Sequence, residues 1–366
     1  MFHNKSLNKE LKLLEKIGSG SFGSVFTCDT TNNDHLAIKC EEKKNNNDTL
    51  FREFKFCSRF YNIKKYLNSN KEFMKDKEYI KIFEYIVKND ILTIPAALSI
   101  DLLKNDKIVP HPYTFYSSEE YNFLTMDLCG DNFEKILENY KLTENCKYFI
   151  TYKLLHIMSC FHRCGIIHRD MKLANLVLSN KIENVNNFDD LNLILIDLGL
   201  SKEFYKYEGE KVVVIKPTSS KSITGTIRYI SLNIHELNTP TIIDDLISMC
   251  YMLINIFTEK QLPWVGHKKD ENKFDRTKHT LTDCKCGYHK NKELGKTKSR
   301  NTIGQIKFHT PLDELCGGYV FLKKWLVYLY SMNLKQMPSY NIMLSILNDN
   351  NKNNNLKFEF IEKIKI

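Results

Sequence analysis

The string His168-Arg169-Asp170-Met171-Lys172-Leu173-Ala174-Asn175 constrains this chain more than any other feature. It sets a carboxylate, a cation two positions on and an amide five positions on between two apolar segments. Before it runs a stretch of helical periodicity from Tyr148 to Cys164, and after it the strand-like Leu176-Val177-Leu178. That spacing places a base, a cation and a metal ligand around one small volume. A second signal follows in Leu195-Ile196-Asp197-Leu198-Gly199, a carboxylate at a strand end before a glycine. Mg²⁺ is a hard ion that prefers such oxygen ligands, so Asp197 and Asn175 are the candidate metal residues. Either motif alone also reads as a turn built on Asp or Asn. The two together, in this order, carry the chemistry.

The N-terminal part is strand-rich. Leu13, Leu14 and Ile17 lead into Gly18-Ser19-Gly20-Ser21-Phe22-Gly23, Val25 and Phe26 follow, and Leu36-Ala37-Ile38-Lys39-Cys40 forms a third apolar run. The glycine string lies between two strands rather than between a strand and a helix, which separates it from the dinucleotide fingerprint. Such a flap can lay backbone N–H groups over phosphates, because glycine has no side chain to obstruct approach. A plain glycine hairpin is the alternative. Lys39, flanked by apolar residues, is placed to bridge phosphates if a carboxylate holds it. Glu53, on a helix predicted from Thr49 to Tyr66, is the candidate; a solvated face or a pair with Arg52 is the other reading of that residue.

Helical periodicity dominates beyond Phe133, at Tyr148 to Cys164, Thr241 to Phe257, Tyr319 to Tyr330 and Tyr340 to Leu347. Strands first and helices after predict an α+β fold of two lobes with a boundary near Gly130. We expect an N-lobe over 1–130 with an insertion near 62–93, a helical C-lobe over 131–347 with a basic insertion near 267–297, and a polar tail over 348–366. With 366 residues and 42% hydrophobic side chains the chain is globular and large enough to fold without disulfides. Its eleven cysteines, scattered and mostly in apolar surroundings, fit buried thiols in a reducing compartment. No stretch approaches the length of a membrane span, and the first residues lack the apolar core of a signal peptide. An intracellular, cytoplasmic location is expected, and a nuclear one is compatible. The net charge of +9 is dispersed, so it does not indicate nucleic-acid binding. Cys284-Lys285-Cys286 with His289, and His279 nearby, could seat Zn²⁺ or form a solvated basic loop.

At these residues the chain resembles the eukaryotic protein kinases, whose motifs occur here in family order. More narrowly it resembles the casein kinase 1 family: Lys16-Ile17-Gly18-Ser19-Gly20-Ser21-Phe22-Gly23, Thr224-Gly225-Thr226-Ile227-Arg228-Tyr229, Asp244-Asp245-Leu246, Leu262-Pro263-Trp264 and Leu315-Cys316-Gly317-Gly318-Tyr319 are similar to its motifs. The vaccinia-related kinases are close cousins. Three positions depart from the pattern: Leu198 stands where Phe is usual, Leu173-Ala174 where Pro-Asp is usual, and Lys135 where a carboxylate lies near the cleft rim. None removes a catalytic group.

The resemblance implies a serine/threonine protein kinase using ATP and Mg²⁺; a non-catalytic scaffold of that fold is the alternative. Asp170 would act as base beside Lys172, and Lys39 held by Glu53 would position phosphates. The nucleotide would meet Ile17, Gly18, Gly20, Ser21, Phe22, Gly23, Val25, Ala37 and Leu178, with Met126 at the back and Asp127 and Cys129 in the hinge. Arg228, with Lys216 and Lys221, would contact acidic or phosphorylated protein substrates. The protein is expected to act as a monomer, away from membranes.

Overall fold

The computed structural model describes residues 2–4, 9–20, 23–30, 35–43, 48–69, 74–92, 96–185, 190–208, 211–215, 218–266, 303–333, 336–350 and 362–363. Ser21, Phe22, Lys216, Cys284, Cys286 and His289 lie outside them.

A six-stranded antiparallel sheet occupies one end of the molecule. Its strands are β1 (Phe2–Asn4), β2 (Lys9–Gly20), β3 (Gly23–Thr30), β4 (His35–Glu42), β5 (Pro112–Ser117) and β6 (Tyr121–Asp127), in the order β1-β2-β3-β4-β6-β5. Alternation in β4 divides its side chains between two small cores. Leu36 and Ile38 join Cys28 on one face, while Ala37 joins Leu50, Leu124 and Met126 on the other. Lys39 pairs in register with Val25 on one side and Leu124 on the other.

Helix α1 (Thr49–Ser69) packs under the sheet. Its start is fixed by Glu41, whose carboxylate accepts from the Leu50 amide at 3.2 Å and from the Thr49 hydroxyl. Two further helices follow before the sheet resumes, α2 (Glu78–Lys88) and α3 (Ala96–Asn105). The segment 67–93, charged and hard to place from sequence, thus contains a strongly amphipathic helix. Ile80, Ile82, Phe83 and Ile86 of α2 enter the large lower core, although they precede Gly130 in the chain.

That lower core is helical. It is built on α4 (Phe133–Asn139), α5 (Glu144–Arg163), α7 (Ile242–Thr258), α8 (Ile303–His309), α9 (Leu312–Leu315), α10 (Val320–Ser331) and α11 (Tyr340–Asn350), while the short α6 (Leu232–His235) is buried outside that cluster. Thr143 caps α5, accepting from the Cys146 amide, and Asp244 closes the start of α7 by accepting from the Thr241 amide at 2.6 Å. Short strands carry the loops between: β7 (Tyr140–Lys141), β8 (Ile166–Ile167), β9 (Leu176–Leu178), β10 (Leu193–Leu195), β11 (Lys202–Glu203), and the hairpin β12 (Tyr205–Glu208) with β13 (Lys211–Val214). The tail residues Glu362–Lys363 form β14, paired with β7. The architecture is α+β with two lobes, the cleft between them bordered by β2, β3 and β4 above and by the β9 and β10 loops below. No helix among the described residues is long and apolar enough to cross a membrane.

Candidate active site

The upper wall of the cleft brings three charges together. Lys39 Nζ donates to both oxygens of Glu53, at 2.7 and 2.8 Å, and lies 3.5 Å from Asp197 Oδ1. The Glu53 carboxylate also accepts from the Asp197 amide at 3.2 Å, so it ties α1 to the end of β10. Glu53 therefore faces Lys39; the solvated reading and the pairing with Arg52 do not describe it. Arg52 instead donates to the Gly199 carbonyl at 2.8 Å. Burial opposes charge on Lys39, but Glu53 and Asp197 beside it hold its pKa above the ordinary lysine value. Burial likewise opposes ionisation of Asp197; Lys39, Lys172 and His168 overcome this and hold its carboxyl below the usual range.

The lower wall is the loop around Asp170. Its Oδ2 accepts from Lys172 Nζ at 2.7 Å and from Asn175 Nδ2 at 3.2 Å, and its Oδ1 accepts from Thr226 Oγ1 at 2.7 Å. Arg169, at φ 70°, lies in the left-handed region and shapes this loop, as Asp197, at φ 69°, shapes the facing one. Such backbone is costly for residues with a Cβ and persists where neighbours over-determine it. The neighbour here is Asp245 on α7, fully buried, which accepts from the His168 amide at 2.6 Å and the Arg169 amide at 2.9 Å. His168 Nε2 meets the Ile196 carbonyl at 3.1 Å and links the two loops.

The residues fit Mg²⁺. Asn175 spends its amide N–H groups on the Asp170 carbonyl and carboxylate, which leaves its oxygen for another partner. Asp197 is held ionised. A carboxylate and an amide oxygen are the hard donors that ion prefers.

The glycine flap is present as β2 and β3, with Gly18 opposite Val25 and Gly20 opposite Gly23. Gly23 has φ 135°, and a Cβ there would lie 2.0 Å from the Cys40 carbonyl oxygen, so a larger residue would drive β3 off β4. Ile17 is exposed on β2; Ala37 and Met126 are paired residues of β4 and β6. Asp127 uses its amide in a bond to the His111 carbonyl and its carboxylate with the His111 amide and Lys107. Gly130 is forced by the close approach of the Asn180 carbonyl, 1.8 Å from where a Cβ would sit.

Leu178 is elsewhere than expected. Residues along a strand alternate between faces, and Leu176 and Leu178 both point into the large lower core. Val177 is on the opposite face of β9, outside that core, and pairs in register with Ile194. Of the expected cation patch, Lys216 lies outside the described residues. Arg228 lies 3.4 Å from Glu134 and over the ring of Tyr229, with Lys221 exposed.

Sequence reasoning missed two further residues. Thr226, quoted above only as part of a motif, reaches Asp170 from the far end of the segment that follows Gly199. Arg59 on α1, 4% exposed, pairs with Glu203 of β11 and donates to the Cys164 carbonyl at 3.4 Å. It was hidden within an amphipathic helix whose other buried residues are mostly apolar.

The sequence pattern of the protein kinase domain matches residues 97–307. Over 353 residues the chain is 25% identical to casein kinase I homolog 3 of Schizosaccharomyces pombe. The aligned part is 94% of this chain and 62% of that protein, so this chain spans less than two thirds of its relative's length. The family match begins after the glycine flap, Lys39 and Glu53. The chain belongs to the protein kinase domain family and is casein kinase I-like.

Proposed function

We propose that this member of the protein kinase family is an active serine/threonine kinase, transferring the γ-phosphoryl group of ATP to Ser or Thr of proteins. The observation that carries the reading is the convergence on Asp170 of Lys172, Asn175 and Thr226, with the Lys39–Glu53–Asp197 triad on the facing wall. Asp170 is the base that orients a substrate hydroxyl and accepts its proton. Lys172 offsets negative charge at the group in flight, and Lys39, fixed by Glu53, positions the nucleotide phosphates. Asn175 and Asp197 would hold Mg²⁺, which when bound neutralises charge on the phosphates. Little covalent work is left to the protein, and catalysis rests on positioning and electrostatics.

In this reading the adenine is held between Ile17, Val25 and Ala37 above and Val177 below, with Met126 behind and the Asp127–Cys129 backbone at the side. Substrates are proteins with acidic or phosphorylated residues upstream of the target. Support for that comes from Arg228 and Lys221 bordering the segment that ends at Thr226. The free thiols among the described residues support an intracellular location.

The test is incubation of purified protein with labelled ATP and either casein or small alcohols, beside Asp170→Asn. Phosphoserine or phosphothreonine in casein, lost in the variant, is the expected result. Labelling of alcohols but not casein would point to a small-molecule phosphotransferase, and no labelling to a scaffold.

A further inference from the structure

Thr226 bonds Asp170 at 2.7 Å, which sets residues 225–233 beside the proposed base, and the backbone there has a bonding problem. The amides of Tyr229 and Ile230 both turn back to the Thr226 carbonyl, at 2.8 and 3.2 Å. The turn therefore leaves the carbonyls of Ile227, Arg228 and Ile230 without partners inside it; Ile230 is buried and Ile227 partly so, and carbonyls removed from water need partners. Two side chains from elsewhere supply them. Trp264 Nε1 donates to the Arg228 carbonyl at 2.7 Å. Lys307, on α8, donates from Nζ to the Ile227 carbonyl at 2.8 Å and to the Ile230 carbonyl at 2.6 Å.

Lys307 is 4% exposed, and among the described residues no carboxylate pairs with it. Its ammonium instead lies 5.1 Å from the Trp264 ring centroid and 5.2 Å from that of Tyr251. A buried lysine without a counter-ion is a costly choice for a core position that an apolar side chain could fill. What it gains is two directed donors at the end of a long stem. Burial pushes its pKa well down. Either protonation state suits the site, because a neutral amine still has two N–H groups for the two carbonyls.

We propose that Lys307 is a positioning residue for peptide substrate: it clamps the 227–230 turn in the shape that seats the residues flanking the phosphorylated Ser or Thr. The same turn begins at Thr226, which bonds Asp170, so the clamp also sets the distance between seat and base. This assignment rests on the kinase reading above. Trp264 has the same duty at the middle carbonyl, and its ring forms one wall of the box that admits Lys307.

The experiment compares wild type with Lys307→Met, Lys307→Arg and Trp264→Phe in two measurements. Hydrogen exchange, which requires no activity, should speed up in 226–231 for Lys307→Met and stay as in wild type around Lys39 and Asp197. Steady-state kinetics should show the peptide KM rising about tenfold, within the net worth of the two hydrogen bonds lost, with the ATP KM within about twofold. Lys307→Arg should recover part of the peptide KM, and Trp264→Phe should show a weaker form of the same pattern. An unchanged peptide KM in a folded Lys307→Met protein overturns the proposal, as does a proportionate change in peptide and ATP KM. If Lys307→Met does not fold, the Arg and Phe variants decide: wild-type exchange and peptide KM in both also overturn it. Exchange that changes as expected in a protein that phosphorylates no peptide would uphold the clamp but refute both its peptide role and the proposed function.

Discussion

Lys39 and Lys307 are both taken out of water, yet their surroundings share nothing. Lys39 faces Glu53 and Asp197, and these carboxylates hold its charge in place against burial. Lys307 faces two carbonyls and two aromatic rings, and burial moves its pKa the other way. The first lysine is part of a charge cluster that a polyanionic nucleotide can complete. The second is a bracket whose business is geometry. The difference teaches that a buried cation's role follows from its partners: carboxylates make it an electrostatic element, carbonyls a structural one.

The strongest test of the electrostatic half is Asp197→Ala. It removes the ionised carboxylate that Lys39, Lys172 and His168 keep charged. Losing the charge stabilisation that a metal supplies there costs several kcal/mol in the barrier, so turnover should fall by about a thousandfold or more. Circular dichroism should show the fold intact. Turnover near that of wild type would remove the metal assignment from Asp197.

Lys39→Met separates the two lysines by stability. It leaves Glu53, 1% exposed, with its charge uncompensated and Asp197 close by. Breaking a buried pair in this way costs about 3–5 kcal/mol, measurable by urea unfolding at neutral pH. Burial already pushes the Glu53 pKa above its unfolded value, and removing Lys39 pushes it further. A carboxyl with a raised folded pKa favours the folded state below its unfolded pKa and loses that contribution as pH rises through the folded value. The deficit of the variant should therefore shrink as the pH is lowered through the Glu53 range. A deficit that stays constant with pH would mean that lost packing, not unpaired charge, destabilises the variant.

A further pair bears on how the site is held ready. Arg59 joins α1, which carries Glu53, to Glu203 in the segment after Gly199. A carboxylate of the segment itself thus makes a charged tie of the kind that a phosphate makes to an arginine. Phosphatase-treated protein made in bacteria should keep phosphorylating casein, whereas Glu203→Ala should lose about tenfold in activity, the worth of a part-buried charged hydrogen bond. Complete loss of activity after phosphatase would overturn this.

How much of this was legible in the sequence follows from the physics of each element. Asp170, Asn175 and Asp197 stand close to one another along the chain on loops bounded by apolar strands, so spacing alone singled them out as candidates. The α+β order was equally readable, because the strand-rich part precedes the helical one. Leu178 was misjudged because three apolar residues in a row give no sign of which face is which; only pairing with β10 and packing on the lower core put Val177 on the other side. Helix α2 was obscured by its charged residues, which lie opposite Ile80, Phe83 and Ile86. Lys307 could not be found at all. A lysine in a helix reads as solvated, and its partners are about 80 positions away in the chain.

For Lys307→Met the comparison predicts a smaller stability effect than for Lys39→Met. Relief of burying an ammonium opposes the loss of partners for two carbonyls, and the net change should stay within about 2 kcal/mol. The Glu53-type pH dependence should be absent near neutrality, since no buried carboxylate is left behind. A loss as large as that of Lys39→Met would mean that Lys307 holds up the lower core as a whole, not one turn of it.

Arg228 makes the smallest structural contribution and the sharpest specificity test. Its contact with Glu134 is long, at 3.4 Å, and both side chains are substantially exposed. Exposed pairs of this kind are worth about 0.2–1 kcal/mol, so Arg228→Ala should leave the unfolding midpoint nearly unchanged. A phosphate or carboxylate arriving from a substrate can displace so weak a partner, because a planar guanidinium binds such anions through two parallel hydrogen bonds. Peptides differing only in upstream charge should then show a higher kcat/KM when acidic or phosphorylated. That advantage should narrow in Arg228→Ala and at moderate salt, which screens exposed charges beyond about 10 Å at 0.1 M. Glu134→Gln, which frees the guanidinium, should widen it. Equal kcat/KM for neutral and acidic peptides in wild type would show that Arg228 serves Glu134 and Tyr229 alone, and that substrate charge is not read at this edge of the seat.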